Sequence, residues 1–455
     1  MDSRILIMAK CVTLKEYDYL FCKSPQNKIT ENNVISEKAF DELTDLIENS
    51  ASDDENDYDK IFRQYGKKIQ VQQFVGVIQT PDGTQIEILP KIAETKKTSE
   101  EIEKANDNLR RILIKMLIEV DYLPGRKVRT ASLETENFPL LEMFIRDFLE
   151  CVEVIVKRGI RSDYIRQEDN LPFMKGKLLI NQQIKYNGIR KERFYVEFDS
   201  FERNRSENRL IKSSLQKVLK MTRVYLNQRL ARELLFMFDD VPFSTDYKQD
   251  FQKCSKDRGM HYYQDALTWS RLILEDKSPM PTAGEKTFRS FLFPMWSLFE
   301  SYVAIKLDQK LKAGYSLEIK ASGEHLYLCE HINGKNRNMF SLEPDLLVKG
   351  NDETFVLDTK WKLISNTKSG DKNYGISQSD FYQMFAYGQK YLNGQGQMAL
   401  IYPKTDEFSK CLEPFEFNED RTPKLTLWVV PFDLDKDELL LPVQPPVFDI
   451  LEKEP

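Results

Sequence analysis

The stretch LEPDLLVKGNDETFVLDTKWK, residues 342–362, decides the fold expected for the C-terminal half of the chain. Apolar and β-branched residues lie on both sides of the turn-forming residues 350–352, a pattern that predicts two antiparallel strands joined as a β-hairpin. If the turn is centred between its last two residues, Asp345 lies directly opposite Asp358. The rest of the functional argument depends on this pair.

The hairpin is expected to bring charged groups to one spot. Directly opposed residues of an antiparallel pair point to the same face, so the carboxylates of Asp345 and Asp358 should lie side by side. Lys360 shares their face, whereas Thr359 points to the other face. Paired carboxylates among apolar residues need a compensating charge, and oxygen ligands select a hard ion such as Mg²⁺ or Mn²⁺. With a lysine to orient a water, the pattern predicts phosphodiester hydrolysis; the alternative is a surface hairpin with solvated charges.

Several segments together resemble one known family. Pro344-Asp345 and, after twelve intervening residues, Asp358-Thr359-Lys360 resemble the PD-(D/E)XK nuclease signature. Other segments are similar to McrC-like nuclease subunits of McrBC-type modification-dependent restriction systems: FVGVIQTPDGTQIEILPKI at 74–92, the segments GKLLINQQ, EFDSF and ENRLIK between 176 and 212, and LFESYV around Glu300. The fold class this implies is α/β, with an α+β N-terminal half that has long helices and a C-terminal PD-(D/E)XK restriction-endonuclease-like α/β core.

The resemblance and the hairpin pattern together assign roles to individual residues. Asp345 and Asp358 are expected to bind the metal, with the carbonyl of Thr359 as a third ligand, and Lys360 is expected to position the attacking water. The resemblance implies that Glu300 supports the metal site indirectly, usually through water. Gln383 lies four residues before Tyr387 on a predicted helix, so both share one face and are suited to hold a phosphate or a water.

The resemblance also implies partners. The expected partner is a McrB-like AAA+ GTPase hexamer, whose pore would receive a stalk built from residues 1–280, and the expected substrate is modified double-stranded DNA. GTP should be bound by the partner, because the sequence contains no GxxxxGK[ST] phosphate-binding loop. Two alternatives remain: a structural activator of the GTPase ring that no longer cuts DNA, and a stand-alone repair-type nuclease that needs no nucleotide.

Composition excludes several other classes of protein. With 41% hydrophobic and 30% charged residues, the 455-residue chain is expected to be globular with two or three domains. It has no apolar run of membrane-spanning length and no signal peptide, so the cytoplasm is the expected location. Six cysteines without CxxC spacing and only three histidines argue against zinc sites, disulfide frameworks and histidine triads.

A net charge of −6 means that DNA affinity must come from a partner or from local basic patches. The candidate basic residues are Lys175, Lys177, Lys185, Arg190, Lys191, Arg193, Arg203, Arg205 and Arg209.

The predicted domains are a β-rich partner-binding domain at 1–92, a helical and β stalk region at 93–280, and an endonuclease domain at 281–455. The predicted elements are a solvated acidic loop at 51–57, a hairpin at 74–92, helices at 37–47, 98–120 and 139–158, a strand pair within 164–180, a strand at 194–198, a helix beginning near 207, helices continuing to 274, a helical stretch at 285–312 interrupted at Pro294, a helix at 378–388, and strands at 398–402 and 425–431. Asn208 and Arg209 are expected to cap and pair at a helix start rather than to act in catalysis.

Overall fold

The computed structural model describes residues 11–23, 33–50, 58–92, 99–123, 139–254, 258–275, 289–321, 326–332, 337–350, 353–367, 373–417, 424–441 and 450–451. The acidic loop at 51–57, the domain boundary near 277–284 and His325 lie outside these residues. Within them, no helix is both long enough and apolar enough to cross a membrane.

The described part of the chain contains both helices and strands. The strands are β1 (Cys11–Lys15), β2 (Tyr19–Cys22), β3 (Val34–Ile35), β4 (Phe62–Tyr65), β5 (Lys68–Val71), β6 (Phe74–Gln79), β7 (Gln85–Leu89), β8 (Asp163–Leu171), β9 (Lys177–Leu178), β10 (Phe194–Glu202), β11 (Arg289–Pro294), β12 (Ser316–Ile319), β13 (Leu326–His331), β14 (Arg337–Leu342), β15 (Leu346–Lys349), β16 (Thr354–Thr359), β17 (Gly396–Pro403), β18 (Phe415–Phe417), β19 (Leu425–Asp433) and β20 (Glu438–Leu439).

The helices are α1 (Glu37–Ser50), α2 (Tyr58–Ile61), α3 (Ser99–Glu119), α4 (Leu140–Arg158), α5 (Ile180–Asn187), α6 (Ser206–Met221), α7 (Tyr225–Met237), α8 (Tyr247–Lys253), α9 (Gln264–Leu274), α10 (Met295–Asp308) and α11 (Gln378–Tyr391). Short 3₁₀ turns occur at Arg258–Tyr263 and Asn373–Gly375.

Two four-stranded sheets enclose the N-terminal core, in the orders β3–β2–β5–β4 and β1–β7–β6–β11. The predicted hairpin at 74–92 is confirmed as β6 and β7, and its apolar residues pack with those of α1. Gly76 is required where β6 meets β11, because a Cβ atom there would lie 1.9 Å from the carbonyl oxygen of Phe291. Gly76 also has a backbone φ angle of +129°, which residues with a side chain rarely adopt.

The strand β11 corrects a sequence prediction. The helical stretch predicted from residue 285 is wrong for Arg289–Pro294, which pair antiparallel with β6. Proline disfavours helical backbone at the residue before it, and the aromatic residues of this segment fill the space beside β6. Helix α10 begins directly after it at Met295, so the first helix of the C-terminal half starts at the edge of the N-terminal sheet.

The middle of the chain is mainly helical, as predicted, with one error in strand pairing. The segments β8 and β9 do not pair with each other as expected; each pairs antiparallel with β10, which lies between them. The link from β7 to the helices is a buried ion pair, because Glu87 accepts bonds from Arg110 of α3 at 2.6 and 2.8 Å and from the backbone of Leu140 at 2.9 Å.

The C-terminal sheet has the order β12–β15–β16–β17–β19–β18, with β16, β17 and β19 parallel. Helix α10 packs on one face and α11 on the other, and residues of β16 contribute alternately to the two apolar clusters. The cluster on the α10 side is continuous with the core of α3, α4 and β11. One apolar core therefore joins the C-terminal sheet to the N-terminal half.

Candidate active site

The hairpin of β15 and β16 has the register predicted from its sequence. Leu346 pairs with Leu357, so the next position places Asp345 opposite Asp358. The pairing of β15 with β16 ends at Leu346 and Leu357, and on the side of β12 the backbone carbonyl of Asp345 accepts a hydrogen bond from the backbone of Lys320 at 2.8 Å. Asp345 therefore lies at the point where the two strands separate.

Thr359 holds the Asp345 side chain. Its backbone N–H and its hydroxyl both donate to Oδ2 of Asp345, each at 2.7 Å. The sequence placed Thr359 on the face opposite the two aspartates. Its hydroxyl nevertheless reaches the carboxylate, because pairing with β15 ends at Leu346 and Asp345 turns toward the adjacent strand. Two donors on one oxygen fix the orientation of this carboxylate.

Asp358 is completely buried, and within the described part of the chain its Oδ1 has no hydrogen-bond donor. The ammonium of Lys360 lies 2.5 Å from Oδ2 and forms an ion pair with it. Burial and the charge of Asp345 raise the pKa of Asp358 to about 7, although Lys360 opposes the shift. Burying an ionised carboxylate lowers the stability of the fold unless a cation compensates its charge.

Lys360 connects the acidic residues to α11. Besides its contact with Asp358, its ammonium donates to Oε1 of Gln383 at 3.1 Å. Burial alone would lower the pKa of Lys360, but the charges of Asp358 and Asp345 outweigh burial and raise it. The residue is therefore a fixed positive charge, about one quarter exposed, at the edge of the acidic pair.

A hydrogen-bonded chain supports the lysine from behind. The amide of Gln383 donates to the hydroxyl of Tyr387 at 2.7 Å, and this hydroxyl donates to the carbonyl of Glu343 at 3.0 Å. The i and i+4 relation predicted for the two helix residues is therefore present. The chain returns to the segment just before Asp345, so α11 and the hairpin fix each other.

Glu300 of α10 is close enough to interact with the pair electrostatically. Its carboxylate lies 3.2 Å from the ammonium of Lys320. Burial and the charge of Asp345 raise the pKa of Glu300, whereas Lys320 and Lys360 lower it. The three acids Glu300, Asp345 and Asp358 thus share one electrostatic environment at the end of β16.

The oxygen donors fit a hard divalent cation. Asp358 offers a buried carboxylate, paired at Oδ2 with Lys360 and without a donor at Oδ1 among the described residues, and Asp345 supplies a second, oriented carboxylate. In the described ranges no group of three or more His, Cys, Asp or Glu side chains could hold a metal by itself. Mg²⁺ accepts such a sparse protein shell, because it retains waters and binds substrate phosphate. Thr359, whose carbonyl is the predicted third ligand, directly follows Asp358 and donates to the side chain of Asp345.

Two of the nine candidate basic residues form ion pairs near the start of α6. Arg205 pairs with Asp163 and Glu207, and Arg209 forms a two-point contact with Asp250. Arg209 therefore has the structural role expected of it, whereas Arg205, a candidate for a basic patch, is also engaged within the protein.

Asn208 also has the structural role expected of it. Its amide donates to the carbonyls of Arg161 and Arg203 at 2.9 and 2.8 Å, and it accepts a bond from the hydroxyl of Tyr263 at 2.9 Å. Asn208 therefore joins three separate segments near the start of α6.

Some residues at the site had no signal in the sequence. Lys320 reaches both Asp345 and Glu300 from a loop after β12. Glu16 lies against Trp361, 345 positions away along the chain. A covariation signal from related sequences could reveal such distant pairs, but spacing within one sequence does not.

Comparison with known proteins gives consistent relatives. A family model described as "McrBC 5-methylcytosine restriction system component" matches residues 69–403. The type IV methyl-directed restriction enzyme EcoKMcrBC of Escherichia coli (strain K12) is 22% identical over 264 residues, which are 55% of this chain and 73% of the relative.

Solved structures of similar fold come from Thermococcus gammatolerans. A chain in the half-complex from the tetradecameric assembly of McrB AAA+ hexamers with bound McrC superposes with a TM-score of 0.68 at 21% identity, and the match covers 94% of this chain and 98% of that one. A chain of the McrBC complex from the same organism gives 0.50 at 22% identity, covering 65% and 87%. These matches describe a shared fold across most of the chain.

Proposed function

The chain belongs to the family of McrBC 5-methylcytosine restriction system components, and from this premise we propose that it is the subunit that cuts DNA in such a system. The proposed activity is that of a Mg²⁺-dependent endonuclease of the PD-(D/E)XK type, with Mn²⁺ as a substitute, acting on modified double-stranded DNA in the cytoplasm. The observation that carries the proposal is Asp358, a fully buried carboxylate that is paired with Lys360 at Oδ2 and has no donor at Oδ1 among the described residues.

Each residue of the site has a distinct part in the proposed reaction. Asp345 and Asp358, with the carbonyl of Thr359, would hold the ion, which supplies positive charge to the phosphate and lowers the pKa of a water. Lys360 orients the attacking water and stabilises negative charge that develops on the phosphate. Gln383 accepts a bond from the lysine and so fixes the direction of its ammonium.

Electrostatics favour this assignment over a surface hairpin. Solvated charges would be exposed and would have ordinary pKa values, whereas Asp358 is buried with its pKa raised to about 7. Perturbed carboxylates next to a lysine are typical of reactive sites. Glu300 adds a third negative charge at the edge, from which it can hold a water in place.

We propose further that a McrB-like AAA+ GTPase hexamer is the partner. Similar chains occur in assemblies of Thermococcus gammatolerans McrB hexamers with bound McrC. GTP would be bound and hydrolysed by that ring, which this chain would stimulate, because the present sequence has no GxxxxGK[ST] loop.

The decisive experiment compares DNA cleavage by wild type and by two site variants, each assembled with its GTPase partner. Asp358→Ala and Lys360→Ala should each lower the rate by roughly 10²-fold or more, because each removes a group that stabilises charge in the transition state. Assembly and GTP hydrolysis should be unchanged. Asp406→Ala and Lys410→Ala, which alter exposed residues of the same half, are the matched controls and should cut normally.

The same experiment separates the alternatives. Stimulated GTP hydrolysis without any cleavage by wild type would favour a structural activator. Cleavage with Mg²⁺ alone would favour a stand-alone nuclease. Undiminished cleavage by both site variants would remove the mechanism.

A further inference from the structure

Trp361, the residue after Lys360, is bonded to the N-terminal sheet. Its indole N–H lies 2.8 Å from Oε2 and 3.1 Å from Oε1 of Glu16. Glu16 is completely buried, and Trp361 is 7% exposed. A hydrogen bond between two buried groups is a strong geometric constraint, because breaking it leaves both groups without solvent as a substitute.

Glu16 is itself fixed at the end of β1. Its Oε2 accepts a bond from the backbone of Lys91 at 3.1 Å, and its own N–H donates to the carbonyl of Leu89 at 3.2 Å. The carboxylate is therefore attached to the ends of both β1 and β7. Burial raises the pKa of Glu16 to about 8, although the N–H groups of Lys91 and Trp361 lower it in part.

Two further contacts hold Trp361 from other directions. Gln73 donates from its side chain to the carbonyl of Trp361 at 3.3 Å, and its own carbonyl accepts a bond from Met295 at the start of α10. The indole ring packs against Phe299, with ring centres 5.2 Å apart. We call the contacts of Trp361 with Glu16, Gln73 and Phe299 the clamp. Because Phe299 directly precedes Glu300 and Trp361 directly follows Lys360, the clamp adjoins two residues of the candidate site.

The clamp holds the chain just beyond the point where β16 stops pairing with β15. Pairing with β15 ends at Leu357, and beyond it the backbone of Lys360 is bonded to β17 through the carbonyl of Ile401 at 2.9 Å. The backbone turns at Trp361, because the N–H of Lys362 donates to the carbonyl of Lys360 at 3.1 Å. Trp361 packs on the α10 side while Lys360 reaches Gln383 on the α11 side, so the position of one side chain sets that of the other.

We infer that Glu16 and Gln73 are positioning residues for the cleavage reaction: by holding Trp361, they keep the ammonium of Lys360 against Asp358. This inference rests on the proposed nuclease function. It gives residues beside the N-terminal sheet a part in the chemistry through their contacts with Trp361.

The surroundings of Glu16 explain why loss of the bond should matter. A cavity of about 320 Å³ lies beside the clamp and is lined by Glu16, Lys91, Trp361 and Lys362, among others. Once the bond is removed, the indole has space into which it can move. A displacement of the lysine by about 1 Å is enough to cost about 10²-fold in rate.

The test uses Glu16→Ala, Trp361→Phe and Glu16→Gln, each assembled with the GTPase partner, in DNA cleavage assays. The first two remove the bond and should lower kcat roughly 10- to 100-fold with KM for DNA unchanged. Glu16→Gln keeps a carbonyl oxygen that accepts from the indole and should restore kcat to within about threefold of wild type. Glu48→Ala, an exposed change in α1, is the control.

A second readout does not depend on cleavage. The ¹³C-dimethylated Lys360 signal, assigned with Lys360→Arg, should show a changed pKa in Glu16→Ala and a near-normal one in Glu16→Gln. Normal kcat in Glu16→Ala and Trp361→Phe, an inactive Glu16→Gln, or parallel losses of kcat, thermal midpoint and GTPase stimulation would each overturn the inference. If wild type does not cut DNA, the proposed function fails, and the lysine signal alone decides whether Glu16 positions Lys360.

Discussion

Replacement of Asp358 by asparagine should stabilise the metal-free protein while removing its proposed activity. The wild-type carboxylate is fully buried, and apart from Lys360 no described residue pairs with it or donates to it. Asparagine has nearly the same shape and carries no charge, so the cost of burying an ion disappears. A residue that lowers stability yet lies at the centre of a site is expected to have a functional role.

The size of the effect follows from the shifted pKa. The pKa of Asp358 rises from 3.8 to about 7, and about 3 pKa units at about 1.4 kcal/mol each correspond to roughly 4 kcal/mol. The unfolded chain releases this proton near pH 4 and the native protein near pH 7, so wild-type stability falls as pH rises between these values. The charges facing the group are those of Asp345, Lys360 and Asp380. Because Lys360 loses its partner in the variant, we expect a gain of about 2–4 kcal/mol above pH 7.

The assay is urea denaturation followed by circular dichroism at pH 5 and pH 8, in EDTA and in MgCl₂. The variant should exceed wild type at pH 8 in EDTA, the difference should shrink at pH 5, and Mg²⁺ should stabilise wild type alone. Glu16 titrates in both proteins, so its effect cancels in the comparison.

A change at the other aspartate provides the matched control with the opposite sign. Asp345→Ala loses two hydrogen bonds from Thr359 and should be destabilised by roughly 1–3 kcal/mol in EDTA. An Asp358→Asn variant less stable than wild type at pH 8 without metal would refute the reasoning, because it would mean that the charge is compensated within the protein.

Three other changes test separate contacts. Gln383→Ala removes the acceptor that directs Lys360 and should slow cleavage roughly tenfold or more without weakening DNA binding, as measured by single-turnover kinetics; an unchanged rate would contradict the supporting role. Asn208→Ala loses three buried or half-buried hydrogen bonds and should cost about 1–3 kcal/mol in denaturant while the cleavage rate of the folded protein stays normal. Glu16→Gln should remove the part of the pH-dependent loss of stability that falls between about pH 4.5 and pH 8, seen as a flatter plot of thermal midpoint against pH; an unchanged slope would mean that Glu16 does not titrate there.

The sequence predicts the geometry of the site well where the interacting residues are close together in the chain. The register that sets Asp345 opposite Asp358 follows from one short turn. The link from Gln383 to Tyr387 follows from helical spacing. In both cases the interacting residues are close enough in the chain for periodicity to fix their relation.

Other features depend on contacts that periodicity does not encode. Arg289–Pro294 forms a strand because β6, more than 200 positions earlier, offers an unpaired edge. Glu16 meets Trp361 only through the arrangement of two sheets. The pairing of β8 and β9 with β10 likewise depends on which strand lies between them. The domain limits at 92 and 280 stay predictions.

The continuous core has a consequence for the safety of a cell that would carry such a nuclease. A protease that cuts between Leu274 and Arg289 would place β6 and β11 in different fragments. The two strands would still be paired until the fragments separate. Release of the C-terminal fragment would strip β11 of its partner, expose Phe291 and Trp361 to water, and leave the indole without Glu16. A released C-terminal fragment would therefore lack the contacts that hold Trp361 next to Lys360, and we expect it to cut DNA poorly.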